Sequence, residues 1–240
     1  MSVLQQSHNK NLLRKRFLAL LLLATLALLN AQIDRVFASD VNPSRFEADI
    51  RAFENADEKR IVSDGGTVFV GSSTFTLWKG LEKDFSSFKA INRGFGGSTL
   101  PEINNYVPRI VTKYRPSKVV LYAGTNDIAE LKHSGESVCS DFKQFVKLVR
   151  EKLPACDIYF ISMSMGPSRV EFPKEFASGN ECIQSFVKGQ TRLHYINVLP
   201  VMRNKDQSLK TELFGLDRLH MNERGYALWK PIVTHALKGD

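Results

Sequence analysis

The chain has 240 residues, 43% of them hydrophobic and 24% charged, globular values that allow one domain with a sizeable core plus a leader. Its formal charge is +8, but residues 1–38 hold five Lys/Arg against one acidic residue, leaving +4 on the remainder. That is too mild for a nucleic-acid-binding surface, and no later Lys/Arg run is interleaved with aromatics.

The leader comes first in the chain. Residues 10–16 are basic, and residues 17–29 are apolar apart from Thr25. A membrane span takes about twenty apolar residues, whereas a signal-peptide core takes about seven to fifteen. A signal peptide over residues 1–38 is therefore expected, cut after Ala38 with Ala31 as a second choice. The protein would then be exported, either periplasmic or secreted, with residues 39–240 as its single domain. The alternative is an uncleaved anchor, which would be the chain's one membrane contact. No cysteine near the cleavage region supports lipidation.

Residues 45–56 read as a helix, with Ser44 and Glu47 at capping-box spacing. Residues 67–71 are β-branched and apolar and end at Gly71, the profile of a buried strand. Ser72 and Ser73 follow at once, and residues 74–79 can open a helix. A second short strand over 90–92 runs into Arg93-Gly94-Phe95-Gly96-Gly97-Ser98, where the glycines imply positive φ or close approach. Residues 101–113 read as a helix capped by Ser98 or Thr99, which Pro108 should break or kink. The clearest strand, 118–123, leads straight into Gly124-Thr125-Asn126-Asp127.

Beyond it, helical spacing over 137–153, a strand over 157–163 and the loop Ser164-Met165-Gly166-Pro167 follow. A helix over 181–188, a strand over 194–198 and a last helix over 222–237 complete the chain. Three cysteines remain, Cys139, Cys156 and Cys182. Export permits a disulfide, an odd count leaves at least one thiol outside an internal pair, and Cys156 reads as a buried small hydrophobe. Their spacing fits no metal motif.

Alternating strands and helices predict a parallel sheet with helices on both faces. Ligands in such folds sit at the carboxyl ends of the strands. Ser73, Gly97, Asn126 and the 164–167 loop each follow a strand end, so four distant stretches should meet at one rim. Ester hydrolysis by serine needs a nucleophile, a base, a group that orients the base, and oxyanion donors. Ser73 is the candidate nucleophile. Asn126 can offer its amide, and Gly97 and Ser73 their backbone N–H groups. His220 is the candidate base, with Asp217 three residues earlier able to fix its tautomer. Residues His8, His133, His194 and His235 lack such a partner in sequence and read as structural or solvent-facing.

Taken in order, these pieces resemble the SGNH (GDSL) hydrolase superfamily. Val68-Phe69-Val70-Gly71-Ser72-Ser73 is similar to its first block, with Ser72 where Asp is usual and Thr74 where Leu is usual. Asn92 to Gly97, Gly124-Thr125-Asn126-Asp127 and Asp217-Arg218-Leu219-His220 are similar to the other three. The resemblance covers about residues 65–238. It implies a three-layer α/β/α, flavodoxin-like fold with about five parallel strands. It implies a Ser73–His220–Asp217 triad, and an oxyanion hole of Ser73, Gly97 and Asn126. No metal or organic cofactor is called for. The expected substrate is a small acyl ester, either O-acetyl carbohydrate or a short-chain or lysophospholipid ester. The alternatives are an envelope polysaccharide O-acyltransferase and a non-catalytic binding protein on the same fold. Arg93 and Arg169 could border the site and contact an anionic or sugar substrate, Arg93 being the named candidate; the plainer reading of both is a solvated loop arginine.

Overall fold

In the computed structural model, residues 44–60, 62 and 64–239 are described; the expected signal peptide lies outside them. Five strands form one sheet: β1 (Thr67–Gly71), β2 (Ala90–Gly94), β3 (Lys118–Tyr122), β4 (Asp157–Ile161) and β5 (Leu193–Ile196). Their order is β2-β1-β3-β4-β5 and every pairing is parallel. The chain thus moves outward in opposite directions from the seam between β1 and β3, the switch point where doubly wound sheets open a crevice.

Side chains alternate across the sheet, as a two-residue period requires. Val68, Val70, Val119, Leu121, Ile158 and Phe160 enter one core, while Phe69, Val120, Tyr122, Tyr159 and Ile161 enter the other. β1, β3 and β4 are buried on both faces, which is why they read as near-continuous apolar runs. The first core is covered by α1 (Glu47–Asp57), α4 (Leu100–Ile110), α6 (Gly135–Lys152) and α7 (Pro173–Val187). The second is covered by α2 (Ser73–Leu77), α3 (Leu81–Asp84) and α8 (Glu223–Lys238). A short α5 (Thr125–Ala129) continues β3.

The α6 apolar positions Val138, Phe142, Phe145, Val146 and Val149 are all buried. On the other face Trp229 of α8 packs against Tyr122 at 5.0 Å between rings, and Tyr226 lies 4.9 Å from Trp78. Truncating one such buried aromatic costs about 3–5 kcal/mol.

Several expectations shift in detail. The Ser44–Glu47 capping box does not form: α1 starts after Phe46 with no side-chain cap, and the Glu47 carboxylate instead takes Arg109 and Arg51. Those guanidinium groups pull its pKa down to about 2. Thr99 does cap α4, its N–H and hydroxyl both donating to Glu102, at 3.0 and 2.9 Å. Pro108 does not break α4, which ends two residues later at Ile110. Cys139 on α6 and Cys182 on α7 are joined by a disulfide with Cα atoms 6.0 Å apart, and Cys156 is a buried free thiol. Burial pushes that thiol up to about 12, so it is inert as a nucleophile.

Candidate active site

Gly71 ends β1 because nothing larger fits: a Cβ there would stand 2.2 Å from the Tyr122 carbonyl oxygen of β3. Ser72 keeps the ladder for one more bond, its N–H donating to Tyr122 at 3.2 Å. Ser73 then opens α2 half-buried at the rim, beside the switch point. Two braces hold that short helix. Asn92 Nδ2 donates to the Phe75 carbonyl at 2.7 Å, and Tyr226 Oη donates to the Thr74 carbonyl at 2.9 Å.

The 94–99 loop folds over the end of β1. Phe95 N–H donates to the Gly71 carbonyl at 2.9 Å, and a Cβ on Gly96 would lie 3.8 Å from that of Ser73. Gly97 has φ +80° with room around it, so the left-handed backbone rather than crowding requires glycine. Leu100 N–H is held by Asp127 Oδ1 at 2.9 Å, which ties the loop to the segment after β3.

His220 arrives from the far end of the chain on a tight loop. Phe214 and Met221 bridge, Gly215 N–H donates to the His220 carbonyl at 2.8 Å, and Arg218 takes φ +57° at the turn. His220 Nε2 lies 2.8 Å from Ser73 Oγ, and its Nδ1 lies 2.7 Å from Asp217 Oδ2. Asp217 Oδ1 also accepts from the N–H groups of Leu219 and His220, each at 3.0 Å. The imidazole and those amides hold the Asp217 carboxyl down at about 2. A carboxylate on Nδ1 places that ring proton and leaves Nε2 free to accept from the serine.

Asn126 is buried beside them. Its Nδ2 donates to Ser72 Oγ at 2.7 Å and to the Ser98 carbonyl at 2.9 Å. The two adjacent serines therefore separate by direction, Ser73 toward His220 and Ser72 toward Asn126. Asn126 Oδ1 accepts from Arg169 Nη2 at 2.8 Å. Ser73, Tyr122, Thr125, Ser164, Arg169 and His220 are among the residues around a small open cleft.

Arg93 is placed elsewhere, correcting its reading as a substrate contact. Successive residues of β2 face opposite sides, so Asn92 reaches α2 while Arg93 turns into the other layer. There its guanidinium bonds Asp57, Tyr114 and the Asn92 carbonyl, and its side chain is 2% exposed. Arg169 moves the other way, from a loop arginine to a buried member of the site. The bracing roles of Tyr226 and of the motif residue Asn92 are not visible in sequence, since they depend on contacts across 152 and 17 residues.

One group of three among the described residues could ligate a cation. Asp127, His133 and Asp141 offer atoms within 4.8 Å of one another. His133 is thus half-buried beside two carboxyls rather than solvent-facing. Burial pushes Asp127 and Asp141 each up to about 7, so a proton serves this group as well as a metal ion. His194 is exposed and stacks on Tyr159, and His235 is exposed on α8.

The fold and this rim define a hydrolase of the SGNH type. A family model described as the GDSL-like lipase/acylhydrolase family matches residues 65–228, and the chain belongs to that family. No curated protein matches it. Among solved structures it is similar to a GDSL-like lipase from Bacteroides thetaiotaomicron, with TM-score 0.69 and 20% identity over 80% of this chain and 98% of that one. It is similar to a carbohydrate esterase family 3 protein from Talaromyces cellulolyticus, with TM-score 0.60 and 15% identity over 72% and 96%. A family 3 carbohydrate esterase from Clostridium thermocellum gives TM-score 0.52 and 15% identity over 71% and 94%.

Proposed function

We propose that the protein is an exported serine esterase acting on small acyl esters. The observation that carries this is the unbroken chain Asp217–His220–Ser73, at 2.7 and 2.8 Å, on the rim beside the sheet's switch point. Ser73 Oγ attacks the ester carbonyl while His220 Nε2 takes its proton. His220 returns that proton to the leaving alcohol, and Asp217 stabilises the imidazolium. The N–H groups of Ser73 and Gly97 and the Asn126 amide receive the oxyanion. Water, deprotonated by His220, then releases the acid and restores the serine.

The cleft beside Ser73 and His220 is small, which suits an acetyl or short acyl group better than a long chain. O-acetyl carbohydrate is the first substrate class in this reading, since family 3 carbohydrate esterases share the fold, and short-chain lipid or lysophospholipid esters are the second, since GDSL-like lipases share it too. The disulfide agrees with export, since such bonds persist in oxidising compartments.

The test is hydrolysis of p-nitrophenyl acetate, butyrate and octanoate by residues 39–240, beside Ser73→Ala and Ser72→Ala. Activity falling from acetate to octanoate, lost in Ser73→Ala and retained in Ser72→Ala, is expected. A folded wild type inert on all three would overturn the esterase and point to acyl transfer or a binding role.

A further inference from the structure

Arg169 ends a one-turn 3-10 helix, Pro167–Arg169, in the loop after β4, yet its side chain is 10% exposed. Through Nη2 it donates to Asn126 Oδ1 at 2.8 Å and to Glu130 Oε1 at 2.9 Å, which uses both hydrogens of that nitrogen. The loop carrying it is pinned to the His220 turn. Ser168 N–H donates to the Arg218 carbonyl at 2.9 Å, and a Cβ on Gly166 would stand 2.9 Å from the Leu219 carbonyl oxygen. One loop therefore touches both the turn that presents the base and the amide beside the serine.

An asparagine amide can flip, exchanging its oxygen and nitrogen at little steric cost. A guanidinium is a donor only, so it tolerates Oδ1 opposite it and repels Nδ2. The Ser98 carbonyl, an acceptor only, makes the same selection from the other side by taking Nδ2. The other Nδ2 hydrogen rests on Ser72 Oγ at 2.7 Å and would pass from it to the oxyanion, where a flipped amide would present a carbonyl oxygen instead. A charged donor on Oδ1 also polarises the amide and strengthens its N–H groups as donors.

We propose that Arg169 is a positioning residue that acts through Asn126, fixing and polarising the amide that meets the oxyanion. This rests on the esterase reading and on Asn126 as an oxyanion donor. Glu130, whose side chain is 66% exposed, anchors the second hydrogen of the same nitrogen and keeps the guanidinium in place.

A double-mutant cycle on p-nitrophenyl acetate tests it, with wild type, Arg169→Ala, Asn126→Ala and the double variant. Asn126→Ala is expected to lower kcat by about 10²–10³. Arg169→Ala should lower kcat by about tenfold or more with KM within about twofold, and add almost nothing in the Asn126→Ala background. Arg169→Lys should recover much of the lost kcat, as should millimolar guanidinium added to Arg169→Ala but not equal sodium chloride. Thermal melts accompany each variant, and if Arg169→Ala does not fold, Arg169→Lys and Arg169→Gln take its place in the cycle. Additive losses, or a raised KM at unchanged kcat, would overturn the proposal while leaving the esterase standing. An Asn126→Ala enzyme with full kcat would overturn the donor role on which it depends.

Discussion

Ser72 and Ser73 differ in what their hydroxyls meet, and the difference is measurable. Ser73 Oγ faces the imidazole at 2.8 Å, whereas Ser72 Oγ accepts from the Asn126 amide at 2.7 Å. Ser73→Ala should lower kcat by about 10⁴-fold or more, since removing the nucleophile of a triad leaves only binding and the oxyanion donors. Ser72→Ala should fold and turn over within about tenfold of wild type. Asp217 has its own signature. Its folded pKa of about 2 lies below the unfolded value, so it contributes stability that is complete above about pH 4 and lost as pH falls toward 2. Melting temperatures of wild type and Asp217→Asn should therefore converge below pH 2. Activity lost between pH 7 and 4 is not owed to Asp217, which stays ionised throughout. At this scale the four motif stretches were legible because each needs particular residue types at fixed spacing, three of them at a strand end. Arg93 misled because adjacency to a glycine-rich loop says nothing about which face of the strand a side chain takes. Arg169 was underread because its partner Asn126 lies 43 residues away.

The strands were legible as elements, since burial on both faces leaves a continuous apolar signature in β1, β3 and β4. Their ends were less so: the strand expected over 157–163 stops at Ile161, since Ser162 N–H adds one last bond to Ile196 of β5 and Met163 N–H turns to the Asn180 side chain. Helix α7 starts eight residues before its expected place because Pro173 sits at its first turn, where a missing N–H costs nothing. The short α5 was invisible, being one turn long and buried whole. Its Asp127 packs with Asp141 of α6, whose outer oxygens find no donor. Both carboxyls are raised by burial, so the fold keeps protons that the unfolded chain releases between pH 4 and 7. That contribution is full below pH 4 and fades as pH rises through 7. Asp141→Asn supplies a permanent donor, and should raise stability at pH 8 by about 1 kcal/mol while changing little at pH 5. Urea melts at both pH values would check this; equal effects at the two would contradict it. Between α6 and α7 the Cys139–Cys182 bond closes a 43-residue separation. Its loss in Cys139→Ala/Cys182→Ala should cost about 4 kcal/mol on the chain-entropy estimate.

For the whole molecule, topology converts scattered sequence into a site. β1 and β3 are neighbours with connections leaving in opposite directions, so Ser72 and Asn126 meet although 54 positions separate them. The loop after β4 and the turn before α8 close the same rim from the other half of the sheet. This much followed from the alternation of strands and helices, because parallel crossovers are right-handed and leave few alternative arrangements. Cleft size did not follow, since it depends on how Arg169 and Tyr122 fill the space above β3. The most direct measurement is the intact mass and peptide map of the protein after reaction with a small fluorophosphonate, which labels an activated serine. One adduct is expected, on Ser73, abolished by His220→Ala and preserved in Ser72→Ala. An adduct on Ser72, or none on the folded protein, would contradict the assignment of Ser73 as the activated nucleophile.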